Sequence, residues 1–205
     1  LFQLSQTALA KDVEWPQHRG DQGLRGLAPG KLGEKLKLLW TYETGDFLKS
    51  SAVVKNGTVF IGSDSKKLHA INLKTGKEVW NYATELAIEA APLLVNDVVY
   101  VGSTDGFLYA LQAKDGKLLW KHETMGEIMG APNHAVRPKS KDSALVVGSY
   151  DNYVHCLNAK TGKEAYRERL QSSNRTPQFY ASPVVVDGKI ISVSRNAGTF
   201  VLEAK

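Results

Sequence analysis

"LHAINLKTGKEVW" occupies residues 68–80, "LYALQAKDGKLLW" residues 108–120 and "VHCLNAKTGKEAY" residues 154–166. These three near-copies of one thirteen-residue phrase decide the fold. Trp40, Trp80 and Trp120 stand forty residues apart, and Tyr166 follows Trp120 by forty-six. The six extra residues coincide with "RPKSKD" (137–142), which reads as a loop insertion. A fixed period near forty marks a tandem repeat whose units bury their apolar faces against one another.

Inside one period the apolar rhythm has period two, not 3.6. "SAVV", "KNG" and "TVFIGS" (51–63) read as strand, turn, strand. Asn56-Gly57 signals a two-residue hairpin, because both turn positions favour positive φ. Asn96-Asp97 and Asp187-Gly188 fill the same slot. Gly76, Gly116 and Gly162 recur in a later turn that calls for a left-handed residue. The first full unit therefore reads as strands near 51–55, 58–63, 67–73 and 77–84, and no segment shows a helical period.

This pattern predicts an all-β fold, a β-propeller of four-stranded antiparallel blades. Blades are expected near 51–84, 91–124, 131–170 and 181–205, with 36–43 as an unpaired fourth strand. The chain then holds about four blades' worth of an expected ring of seven or eight. A closed four-bladed ring and a homodimer completing an eight-bladed one are the alternatives.

The bulk properties narrow the function classes. Of 205 residues, 42% are hydrophobic and 23% charged, as in a soluble globular protein. The net charge of +5 is scattered rather than blocked, which argues against a nucleic-acid partner. Cys156 is the single cysteine, so neither an intrachain disulfide nor a CxxC pair can form. No apolar run reaches the ~18 residues of a membrane span. "LFQLSQTALA" (1–10) ends in a small-x-small pattern and reads as the remnant of a signal peptide, followed by a leader at 11–35 and repeats at 36–205. That predicts an exported, periplasmic protein. Lys11 stands where a lipoprotein would carry Cys.

Ala70, Asn72, Thr75, Gly76, Lys77 and Trp80 form a phrase repeated at Ala110, Gln112, Asp115, Gly116, Lys117 and Trp120. Cys156, Asn158, Thr161, Gly162, Lys163 and Tyr166 make a weaker copy. The phrase resembles the tryptophan-docking motif of pyrroloquinoline-quinone (PQQ)-like β-propellers, with Trp40 as a further docking residue. The leader "WPQHRGDQGLRG" (15–26) resembles the segment that opens many secreted members. The resemblance implies one of two roles. Quinoprotein dehydrogenases hold PQQ and calcium at the ring centre. Noncatalytic members act as scaffolds, as in the outer-membrane β-barrel assembly machine.

Residues expected at the ring centre are Ser50-Ser51, Glu89-Ala90-Ala91, Gly130-Ala131-Pro132 and Ala181-Ser182-Pro183. Small residues suit a crowded axis, and Glu89 is the lone carboxylate there. Glu89 and Arg175 are thus the candidates for PQQ and calcium, and the reading favours no cofactor, no metal and no catalytic residue. His69 and His155 share a slot with Tyr109 and Phe200, whereas His122 and His134 read as isolated. Cys156 reads as a small buried filler. The loops from fourth to first strands carry apolar residues that a turn does not need. Phe47, Met129, Asn174, Arg175, Phe179 and Tyr180 are expected to form a rim that binds a protein partner or envelope component, while Ile88 and Ile128 are expected to cap blade interiors.

Overall fold

The first, second and fourth blades begin as tight hairpins. Asn56 and Gly57 take φ of 49° and 70°, and Asp187 and Gly188 take 48° and 67°. These values are the left-handed pair of a hairpin turn, which twists with its strands. The computed structural model describes residues 14–28, 34–137, 140–171 and 177–203. The first sheet holds β1 (Val53–Lys55), β2 (Thr58–Ser63), β3 (Lys67–Asn72) and β4 (Glu78–Ala83). The second holds β5 (Leu93–Val95), β6 (Val98–Gly102), β7 (Phe107–Gln112) and β8 (Leu118–Glu123). The third holds β9 (Asn133–Val136), β10 (Ser143–Gly148), β11 (Tyr153–Asn158) and β12 (Glu164–Arg169). The fourth has three strands, β13 (Val184–Val186), β14 (Lys189–Ser194) and β15 (Gly198–Glu203). Every sheet is an antiparallel meander in chain order, and no helix occurs among the described residues. The short first strands adjoin one another, β1 beside β5, β5 beside β9 and β9 beside β13, so the sheets are arrayed around an axis.

The repeated phrase has a local mechanism. Asn72 Oδ1 accepts from the backbone N–H of Lys74 and Thr75, both at 3.0 Å, and from the Thr75 hydroxyl at 3.1 Å. Asn158 repeats these bonds to Lys160 and Thr161. The turn closes through Gly76 N–H to Asn72 O, with Gly76 at φ +68°. A β-bulge then follows at the same place in all three full blades, between Ala70 and Ile71, Ala110 and Leu111, and Cys156 and Leu157. The extra residue turns the following aromatic toward the neighbouring blade.

That aromatic joins the blades. A Cβ on Gly116 would lie 2.7 Å from the Trp80 ring, so only glycine lets the indole lie on this turn. Trp40 covers Gly76 and Trp120 covers Gly162 in the same way. Each indole N–H donates to a carbonyl of the next blade, Trp40 to Leu73 at 2.9 Å, Trp80 to Ala113 at 3.0 Å and Trp120 to Ala159 at 3.2 Å. Tyr166 takes the tryptophan slot of the third blade beside Cys156, and burial pushes its hydroxyl up to about 12.

The core lies between sheets. Phe60, Leu68 and Ile88 pack with Val99, Val101 and Leu111, and Leu93, Tyr100 and Ile128 pack with Leu145, Val147 and Leu157. Neither face of a blade could be buried by that blade alone.

Residues 36–43, expected as an unpaired fourth strand, have no ladder partner among the described residues. Leu36, Leu38 and Leu39 stay 75–84% exposed, whereas the Trp40 ring lies against Gly76. The leader, in turn, is structural. Trp15 exchanges two 2.8 Å backbone bonds with Val54 on β1. Pro16 O accepts from Leu94 N on β5, and Gln22 O accepts from Asn133 Nδ2 on β9. The leader thus crosses three sheets in turn along their innermost strands.

Candidate functional site

The axis of the array is a cavity of ≈ 520 Å³. The starts of the first strands line it through Ser51, Ala91, Ala131 and Ser182, as the sequence predicts. His18 and Arg19 of the leader close one side. Burial and the neighbouring Arg19 push the His18 pKa down.

Glu89 lies in this wall, and its carboxylate is already engaged. Lys49 Nζ donates to Glu89 Oε1 at 2.6 Å and lies 3.0 Å from Asp64 Oδ2. Hydrogen bonds to both carboxylates hold the lysine well above the usual ammonium range. Ser50 Oγ donates to Ala90 O at 2.9 Å and ties the same two loops together.

A calcium-held quinone is the cofactor that the sequence resemblance implies, and the donor set of the described lining residues does not fit it. Calcium takes six to eight oxygen ligands, with carboxylates prominent. Among the described lining residues Glu89 is the single carboxylate, and a lysine ammonium occupies it. Arg175, the other candidate, lies outside the described residues, as does Asn174.

The loop rim divides into caps and exposed residues. Ile88 and Ile128 are fully buried, and their side chains sit where a Cβ on Gly62 or Gly102 would fall, at 2.2 and 2.1 Å. Phe179 occupies the same slot over Gly148, is fully buried, and meets Phe200 edge to face at 6.0 Å. It is therefore a core cap and not a partner contact, which corrects the sequence reading. Met129 is half-buried in the cavity wall. Phe47 is 78% exposed and Tyr180 49%, so these two remain as described rim aromatics. Met125, which the sequence reading passed over, is 77% exposed on the same set of loops.

One further grouping escapes sequence reasoning. His122 is not isolated, because its ring stands 5.9 Å from His155 across a blade interface. Thirty-three residues and a blade boundary separate the two in the chain, so no local spacing signals them.

The family model described as "Outer membrane protein assembly factor BamB" matches residues 33–140 and 129–205. The chain belongs to this family. Its fold is that of solved β-propellers. The BamB structure from Moraxella catarrhalis superposes with a TM-score of 0.67 at 21% identity, covering 81% of this chain and 49% of that one. A quinohemoprotein alcohol dehydrogenase from Comamonas testosteroni gives 0.69 at 17% identity, covering 95% and 41%. The computationally designed Ika4 protein gives 0.64 at 14% identity, covering 85% of this chain and all of that one, 100%. At these identities the likeness concerns fold. The chain spans about half the length of the BamB structure or less of the dehydrogenase. Curated protein sequences contain no significant match.

Proposed function

We propose that this chain is the repeat region of a noncatalytic, exported propeller that binds a protein partner through its loop rim, in the service of outer-membrane protein assembly. The observation that carries the reading is the axial wall, where Lys49 occupies Glu89, the single carboxylate among the described lining residues. The family description agrees with an assembly role. The rim supplies the means. Phe47 and Tyr180 present aromatic surface on loops, where turn chemistry asks for none, and aromatics are enriched at interface hot spots. Residues 1–10 serve in this reading as the remnant of an export signal, and residues 36–205 as the propeller proper.

Site-specific photocrosslinking tests the rim. A benzophenone side chain at position 47 or 180, in cells expressing the protein, is expected to give one discrete adduct with an envelope protein. The same probe at Lys74, on the turn at the opposite end of the first blade, is expected to give none. Equal adducts from all three positions, or none from 47 and 180, would refute a rim-specific partner. A second copy of the chain as the crosslinked species would instead support completion of the ring by a homodimer.

A further inference from the structure

The propeller repeat repeats a polar slot at each blade interface, and its occupants differ. At the first interface Tyr42 donates to Glu78 and meets His69 Nδ1 at 3.0 Å. At the second, Tyr82 meets Tyr109 with Leu118 in the glutamate position, and Tyr109 donates to Asp105 at 2.7 Å. At the third, the trio is His122 on β8, His155 on β11 and Glu164 on β12. This is the interface, among the described residues, at which all three positions are histidine or carboxylate, and their ligand atoms lie within 4.8 Å of one another.

The protons at this third interface do not balance for a neutral ring. His155 is fully buried, with Nδ1 2.9 Å from Glu164 Oε2 and Nε2 2.9 Å from Asp151 Oδ2. A neutral imidazole has one N–H and can donate to one of these carboxylates, not both. The second contact therefore needs either an extra proton or a cation in its place. His122 Nε2 lies 3.7 Å from the same Glu164 oxygen and has no hydrogen-bond partner. In the first interface a tyrosine hydroxyl fills this place and satisfies both neighbours.

We propose that His122 Nε2, His155 Nδ1 and Glu164 Oε2 form a binding site for a divalent ion of the zinc class, bridging the second and third blades. The two nitrogen–oxygen separations bracket the ~3.3 Å edge of a tetrahedron with 2.0–2.1 Å bonds. Asp151 accepts from His155 Nε2–H, which fixes the tautomer with Nδ1 free for the metal; an outer carboxylate on a ligating histidine is the usual arrangement. Two imidazoles favour zinc, copper or nickel over calcium or magnesium. His122 and Glu164 keep 19% and 29% of their side chains exposed, so the trio lies close to the surface. Arg167 lies 3.9 Å from the other glutamate oxygen, Oε1, and leaves Oε2 to the ion.

The test uses tag-free full chain, stripped with EDTA and titrated with zinc alone by calorimetry and with cobalt by visible absorption. The expected result is one zinc per chain and cobalt bands of a four-coordinate site. His122→Tyr installs the residue type found at positions 42 and 82 and is expected to weaken zinc binding at least tenfold without moving the urea midpoint. Glu164→Gln is the second variant, and Asp151→Asn is expected to weaken binding by about 10–100-fold. His134→Gln serves as the control with unchanged affinity. Substoichiometric zinc, or unchanged affinity in both His122→Tyr and Glu164→Gln, would overturn the assignment.

Discussion

Gly116→Ala is the substitution that most sharply probes how the blades are joined. Gly116 has φ +72°, and a Cβ there would meet Trp80 Cε3 at 2.7 Å and Cδ2 at 2.9 Å. The backbone strain of a left-handed alanine is about 1–2 kcal/mol. Displacing the indole, with its bond to Ala113 O, adds about 1–3 kcal/mol of overpacking. Gly57 supplies the control, because its φ is +70° and nothing lies within 4 Å of its would-be Cβ. Gly57→Ala therefore carries the backbone term alone. In urea denaturation followed by far-UV circular dichroism, Gly116→Ala is expected to lose about 1–3 kcal/mol more than Gly57→Ala. Trp80→Ala should abolish that difference, since the neighbour that Cβ strikes is then gone. Equal losses from the two glycines, or an undiminished difference without Trp80, would refute the docking argument.

Three other outcomes follow from the same structure. Phe179→Ala should lower stability by about 3–5 kcal/mol in the same assay, whereas Phe47→Ala should stay within about 0.5 kcal/mol, because one ring is in the core and the other in solvent. His18, His122 and His134 all have pKa values pushed down, chiefly by burial. Their contribution to stability is full above the unfolded value near 6.5 and is lost as pH falls from there through the folded values. Denaturation in EDTA at pH 7.5 and 5.5 should show that loss, and His134→Gln should shrink it. Burial raises the Cys156 thiol, so its reaction with a disulfide reagent should be slower by about 100-fold or more in the folded chain than in urea.

Much of the fold was legible because the repeat writes the same physics several times. The hairpins at Asn56-Gly57 and Asp187-Gly188 take the positive φ that their residues announce. The tryptophan slot and its partner glycine are readable for the same reason, since one mechanism recurs forty residues on. Features that depend on a unique partner were less readable. The leader has no period, so nothing local shows that Trp15 pairs with Val54 and Gln22 with Asn133.

The site was legible in part. The first-strand starts do surround the axis, and Glu89 does lie there. Its capture by Lys49 from the preceding loop is a tertiary fact, although the forty-residue offset between the two could have suggested it. Aligning the fourth-to-first loops more strictly would have put Phe179 in the slot of Ile88 and Ile128 and marked it as a cap. His122 and His155 meet because one is on a fourth strand and the other on the third strand of the next blade.

The central proposal is that the axial cavity, as the described residues line it, does not hold a quinone. Calorimetric titration of the purified chain with PQQ in the presence of calcium tests it most directly. The account predicts no saturable heat, in a chain whose circular dichroism shows intact β-structure. Saturable binding of one PQQ per ring, weakened by Glu89→Gln, would contradict it.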